Sequence, residues 1–357
     1  MASIIEDSAA YEAWLATQCK VVTSALDRKH EVMRKSPFRF LRATYFRWAR
    51  TSPRFAGHLA DAPLALCVGD AHVENFGTWI DADGRRVWGA NDFDEAAAMP
   101  YVLDLIRLLV SARMAPDLGV DASLAARAIL AGYKEGLKSP RPMLLEQDVA
   151  WFRGLVSGLE DKTGKFWTEM AGHPAAVPPE PVRLALLHAL PHGAQNIRYA
   201  TRQNGGGSLG RPRFLAIADW RGGKVVREAK ALVPSAWDWA SGSGGASRYM
   251  EVADGAYRSP DSSTTRAGNF IIRRIAPDAR KLDLADVAKD GRGSALLEAM
   301  AADLAAIHVA SASVKRIQKD LARRAGGWLA SAASAAEESV RADHQVWKAH
   351  APPKRRT

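Results

Sequence analysis

The chain has 357 residues, 47% hydrophobic and 25% charged, which is the make-up of a folded water-exposed protein with one large bilobal domain or two domains. No apolar run reaches the ~20 residues of a membrane span, and the N-terminus MASIIEDSAAYEAW is acidic without an apolar signal core, so a cytoplasmic protein with no membrane partner is expected. The formal net charge is +10, but no basic run is interleaved with aromatics, which argues against nucleic acid as the partner and fits attraction of a phosphate-bearing ligand.

In chain order, residues 8–34 place Tyr11, Trp14, Leu15 and Val22 at helical spacing and predict one or two helices. KSPFRFLRATYFRWA follows, with Pro37 near a boundary and an aromatic-rich helix after it. Leu64 to Val68 is a short apolar run that reads as a buried strand leading to Gly69 and Asp70. TWID and RRVWGAN bracket a turn at Asp83-Gly84 and predict a hairpin. Residues 101–113 form a nearly all-apolar helix, and 122–137 another, capped by Asp121. The middle, 140–195, is mostly helical with Pro-rich breaks. IRYATRQ, RPRFLAIADW, KVVREAKA and NFIIRRI are strands, and SGSGGAS, Ser241 to Ser247, is a surface loop. Leu297, Met300, Leu304 and Ile307 share a helical face across about 294–312. An Ala-rich helix and a disordered basic end complete the chain. Cys19 and Cys67 have neither disulfide-framework nor metal spacing and read as buried small apolar residues.

The stretch Gly69 to Ala96 has the layout of a phosphoryl-transfer site. Asp70 is the expected catalytic base. Asn75, five residues on, and Asp92 are the expected ligands of magnesium, a hard cation that takes oxygen donors. Asp94 either binds a second metal or orients Asp92. His72 is counted with Asp70 in the expected catalytic set, above all as the residue that holds the loop through hydrogen bonds. Asp104, on an apolar helix, needs buried partners and reads as a brace for the loop; His308 reads as a core histidine. The aromatics Phe76, Trp79, Trp88 and Phe93 are expected to pack.

A second constellation lies downstream. Gly205, Gly207 and Gly210, with Ser208 among them, form a G-x-G-x-x-G loop between two strands, and Lys230 follows inside the next strand. A dinucleotide fold would follow its glycines with a helix. A strand–loop–strand with a lysine beyond is the nucleotide lid of a protein-kinase-like fold. The lysine would meet the α and β phosphates, with Arg227 as its rival for that contact. Its partner carboxylate is Glu251 or, two residues away on the same strand, Glu228. Arg273 and Arg274 alternate on a strand, so at most one should face the cleft.

VGDAHVENF, NDFDEA and YVLDLIRLL resemble the catalytic stretch of aminoglycoside and choline kinases, with Val68 where those enzymes commonly have histidine. More closely, SPFRFLRA, GDAHVENFG, NDFDEA, GGGSLG, REAKA and LAAIHVA, in that order, resemble the bacterial family known as domain of unknown function 2252, over roughly residues 30–315. FLRA stands where that family has FLRG, and its K-E-A strand can be matched at Arg227-Glu228-Ala229 or at Lys230-Ala231. The resemblance implies an α+β, protein-kinase-like bilobal fold. The glycine loop and lysine follow the catalytic loop instead of preceding it, so the expected fold is circularly permuted. Residues 1–194 would give a helical lobe with the catalytic and metal motifs, 195–276 the small antiparallel β lobe, 277–340 helices completing the large lobe, and 341–357 a disordered basic tail. The expected activity is ATP- and Mg2+-dependent phosphoryl transfer to a small hydroxyl- or amine-bearing acceptor. AMP transfer on the same fold and a non-catalytic nucleotide-binding module are the alternatives.

Overall fold

Four helices open the chain: α1 (Ile4–Gln18), α2 (Thr23–Lys35), α3 (Pro37–Ala43) and α4 (Tyr45–Ala56). This is a computed structural model, which describes residues 2–148, 151, 162–203, 207–277, 279 and 283–350. A capping box starts α1: the Ser3 hydroxyl accepts from Glu6 N–H while the Glu6 carboxylate accepts from Ser3 N–H. The SPF motif starts α3 in a related way. Ser36 Oγ accepts from Arg39 N–H at 3.2 Å, and Pro37 occupies a first-turn position whose N–H has no helical partner.

β1 (Leu64–Cys67) pairs antiparallel with β4 (Ala97–Pro100), while β2 (Phe76–Ile80) and β3 (Arg86–Ala90) form the expected hairpin. Asp81 closes that hairpin by accepting from the N–H groups of Asp83 and Arg85. α5 (Val102–Met114) is buried along almost its whole length, and α6 (Ala122–Lys138) starts at Asp121, which accepts from Ser123 and Leu124 N–H. β5 (Met143–Leu144) adds to β3. β4 and β5 carry no apolar/polar alternation, which is why they do not register in the sequence.

Helices α7 (Lys162–Gly172) and α8 (Glu180–Ala189) precede a five-stranded antiparallel sheet. Its strands are β6 (Gln195–Thr201), β7 (Arg213–Trp220), β8 (Gly223–Ala231), β9 (Thr265–Ala267) and β10 (Phe270–Arg274), ordered β6-β7-β8-β10-β9. α9 (Ala236–Ser241) and α10 (Tyr249–Ala253) lie between β8 and β9, and residues 242–246 are exposed as expected. α8 covers one face of the sheet through Val182, Leu186 and Leu190. On the other face, α7 covers Leu215, Ile217 and Val226 through Met170. The two-residue period of a strand then puts Arg213, Glu228, Lys230 and Arg273 on that same second face, beyond the apolar patch.

The chain ends in α11 (Leu284–Lys289), α12 (Gly293–Val309), α13 (Val314–Arg323) and α14 (Trp328–Ala349). α12 packs along α6, and α14 lies across α5, α4 and α3. Buried Arg47 of α4 ties both ends together: it pairs with Asp7 of α1 and, through Nε at 2.7 Å and Nη2 at 2.9 Å, with Asp343 of α14. The helical body is thus built from both ends of a mixed α+β chain.

Two expectations are corrected. Residues 341–349 are helical instead of starting a tail, because Val340, His344 and Trp347 bury one face of α14; residues 351–357 lie outside the described residues. Cys67 is fully buried, but Cys19, at the end of α1, is only half-buried.

Candidate active site

β1 ends at Cys67, and Asp104 of α5 takes over the next backbone amides. Its two carboxylate oxygens accept from Val68 N–H at 2.8 Å and Gly69 N–H at 2.9 Å. His308 of α12 touches the same carboxylate through Nε2 at 3.0 Å, and its Nδ1 meets Tyr133 Oη at 2.8 Å. The brace expected of Asp104 is therefore present, with His308 as part of it. Gly69 makes the turn at φ +80°, and a Cβ there would come within 2.2 Å of the Glu95 carbonyl oxygen. Gly69→Ala is expected to cost about 2–4 kcal/mol from the left-handed backbone and this clash together, measured by urea denaturation.

Asp70 follows, side chain 16% exposed. Arg107, fully buried beneath the Tyr45 and Trp48 rings, donates from Nε to Asp70 Oδ1 at 2.7 Å, and its Nη2 lies 2.5 Å from the same oxygen. Oδ2 remains toward the cleft, with His72 Nε2 at 3.8 Å. Burial raises the pKa of Asp70, with Asp92 adding to the rise and Arg107 and Arg42 opposing it. His72 Nδ1 accepts from Glu74 N–H at 3.1 Å, which leaves a neutral ring's proton on Nε2, facing Asp70.

Asn75 is buried. Its Nδ2 donates to the carbonyl oxygens of Asp70 and Asp92, both at 3.0 Å, which fixes the amide orientation and leaves Oδ1 buried with no hydrogen-bond partner. Asp92 and Asp94 follow the hairpin. This segment is anchored from α12: buried Asp303 accepts from Ala90 N–H at 2.8 Å and pairs with Arg258 at 2.6 Å, and Arg258 donates to the Ala90 carbonyl. Lys230, fully buried on β8, reaches across to both acids. Its Nζ lies 2.9 Å from Asp92 Oδ1 and 2.5 Å from Asp94 Oδ2. Burial alone would raise the Asp92 pKa, but Lys230, then Arg273 and Arg213, hold that carboxyl well below the usual range.

The neighbours of Lys230 differ from expectation. Glu251, exposed on α10, pairs with neighbouring Arg248 at 2.6 Å. Glu228, fully buried, is taken by three arginines: Arg273 at 2.7 Å, Arg202 at 3.0 Å and Arg213 at 3.4 Å. The lysine's partners are the acids of NDFDEA instead. Arg227, one position out of phase on β8, donates to the Ala189 carbonyl on the α8 side and faces neither cavity. Arg273 and Arg274 both line the cleft, because the cavity wraps past the end of β10, where Arg274 pairs with Asp261.

The glycine loop divides. Gly205 lies outside the described residues. Gly207 faces the loop that carries Asp70: a Cβ there would stand 3.0 Å from the Arg42 carbonyl oxygen and 3.6 Å from Asp70 Oδ2. Ser208 Oγ accepts from Arg213. Gly210 packs instead, since a Cβ on it would clash with Leu26 at 2.5 Å.

Two cavities meet at Asp92. The smaller, about 70 Å³, contains Asp70, His72, Asn75, Asp94, Gly207 and Ser208. The larger, about 360 Å³, is bordered by Arg202, Arg213, Arg273, Tyr249 and Phe166. Sequence reasoning missed Arg202 and Arg213, together with Arg107, Arg258 and Arg211. Arg211 pairs with Glu95 at 2.7 Å and stands 3.3 Å from Asp94. Its place beside Gly210 and the run of acids at NDFDE were the available signals.

Residues 21–154 match the model of a family described as "Uncharacterized protein conserved in bacteria (DUF2252)". This supports the kinship drawn from GDAHVENFG and NDFDEA, which lie inside that stretch; the glycine loop, Lys230 and α12 lie beyond it. Neither the curated proteins nor the solved structures give a match. Among the described residues, no helix is long and apolar enough to cross a membrane.

Proposed function

We propose that the chain is an ATP- and magnesium-dependent phosphotransferase of circularly permuted, protein-kinase-like fold, acting on a small hydroxyl- or amine-bearing molecule. One observation carries the reading: Lys230 meets Asp92, 138 residues away in sequence, and Asp92 borders the cleft that also holds Asp70 and Asn75. Those four groups are the base, carboxamide, acid and amine of phosphoryl transfer. The chain order also agrees, since the sheet leads through β10 toward α12, whose His308 supports the loop carrying Asp70.

Magnesium fits the residues present. Asn75 Oδ1 is a buried acceptor with no donor, and both Asp94 oxygens lack a hydrogen bond of good geometry. Asn75, Asp92 and Asp94 would hold the ion, which supplies charge neutralisation for the phosphates. Arg273 and Arg213 complement the phosphate charge from the sheet side, with Lys230 buried behind Asp92 and Asp94, and Tyr249 and Phe166 offer ring surface for a base. Asp70 Oδ2 takes the acceptor proton as the acceptor oxygen attacks the γ-phosphorus. The bond from that phosphorus to the β–γ bridging oxygen breaks, and ADP leaves. Arg107 keeps Oδ1 occupied, so the other oxygen faces the acceptor.

The wild-type protein is expected to melt at a higher temperature with ATP plus magnesium than with either alone, an increment that Asp92→Asn removes. It should also release ADP. Mass spectrometry of a modified acceptor would show an added phosphate; an added adenylate would mark AMP transfer. Absence of both stabilisation and ADP release would end the proposal.

A further inference from the structure

The smaller cavity contains one charge that the chemistry above does not use. Lys29, on α2, is 2% exposed and borders the cavity that holds Asp70. Among the described residues it has no hydrogen bond and no ion pair; its Nζ lies 5.5 Å from the Tyr11 ring centroid and 5.3 Å from that of Phe46. The other charges around this cavity are matched. Asp70 has Arg107, Asp92 and Asp94 have Lys230, Glu95 has Arg211, and Arg42 has Glu74. Burying an ammonium without a counter-charge is unfavourable, and ring faces offset only part of that loss. Burial pushes the Lys29 pKa down to about 8, with Arg211 adding to the fall and Glu12, Glu95 and Asp70 opposing it. The group therefore stays largely protonated at neutral pH. Arg42, on the same wall, keeps a buried Nε with no partner.

We infer that Lys29, together with Arg42, receives an anionic group of the acceptor, so that the substrate is a small hydroxylated carboxylate or phosphate ester instead of a neutral sugar or an amine. The inference rests on the smaller cavity being the acceptor side of the proposed phosphotransferase. An oxyanion there would give Lys29 its missing counter-charge and leave a hydroxyl of the same molecule free to face Asp70. Both carboxylate and phosphate would satisfy the two cationic groups.

The test measures binding without nucleotide, so that it stands apart from catalysis. Wild-type protein, Lys29→Met and Lys29→Arg are titrated calorimetrically with matched sets of a neutral alcohol, its carboxylate and its phosphate ester. The sets are glycerol, glycerate and glycerol 3-phosphate, and glucose, gluconate and glucose 6-phosphate. At least one anion is expected to bind about tenfold or more tighter than its neutral twin. Lys29→Met should abolish that advantage without changing the neutral ligand, and Lys29→Arg should restore most of it. Which anion gains distinguishes carboxylate from phosphate. The wild-type comparison does not depend on either variant folding: if no anion exceeds its neutral twin, the inference is overturned, as it is if Lys29→Met retains the preference. Anion binding that depends on Lys29 in a protein that never releases ADP would uphold the anion site while ending the phosphotransferase proposal.

Discussion

Asp70→Asn is expected to lower turnover by about 10²–10⁴-fold while leaving magnesium–ATP affinity nearly unchanged. The substitution keeps the side chain's shape and an oxygen for Arg107 to donate to, so the loop under Asp104 and His308 should hold. It removes only the capacity to take a proton. The acid limb of the wild-type rate carries a second signature. Asp70 must be ionised to act, and its pKa is raised from 3.8. The rate should therefore fall with acidification at higher pH than an ordinary aspartate would require, and the variant's residual rate should lack that limb. Single-turnover assays across pH, with nucleotide binding measured alongside, check both statements. Unchanged turnover in Asp70→Asn would remove Asp70 from its role.

Glu228→Leu is expected to destabilise the protein by about 3–5 kcal/mol, because it leaves Arg202, Arg213 and Arg273 converging on a buried point with no counter-charge. Those arginines outweigh burial and hold the Glu228 pKa well below 4.5. A depressed carboxylate stabilises the folded state fully above its unfolded pKa, and that contribution is lost as pH falls through the folded value. Wild-type stability should therefore decline on acidification below about pH 4.5, and the Glu228→Leu curve should decline less steeply there. Urea denaturation at several pH values measures both. A loss under about 1 kcal/mol would show that the arginines find other partners or leave the site.

The acidic half of the site was legible because it is local. Asp70, His72, Asn75, Asp92 and Asp94 all fall within one short stretch around one hairpin, and their spacing carries their chemistry. Four strands of the five-stranded sheet were legible through β-branched and aromatic runs, the three-residue β9 being too short to register, as was Asp104, a lone acid on an apolar helix. The cationic half was legible only in Lys230 and in the Arg273-Arg274 pair. Arg107 reaches Asp70, and Arg213, Arg258 and Lys29 reach the cavities, through tertiary packing, and an arginine bound for a cleft looks in sequence like one bound for solvent. The partner of Lys230 was misplaced for the same reason. Glu251 sits on a helix in the expected order, but Arg248, three residues away, is nearer to it. β4 and β5 escaped because neither has a two-residue alternation to announce it.

The support beneath Asp70 has a temporal side. Asp104 grips the loop early in the chain, but His308 comes 204 residues later, and Asp343, which clamps Arg47, comes later still. During synthesis, Asp70, Asp92 and Asp94 leave the ribosome long before His308 and Asp343. A nascent chain thus carries these side chains before the residues that hold them in place, and the loop can take its final shape only after His308 and Asp343 have been made.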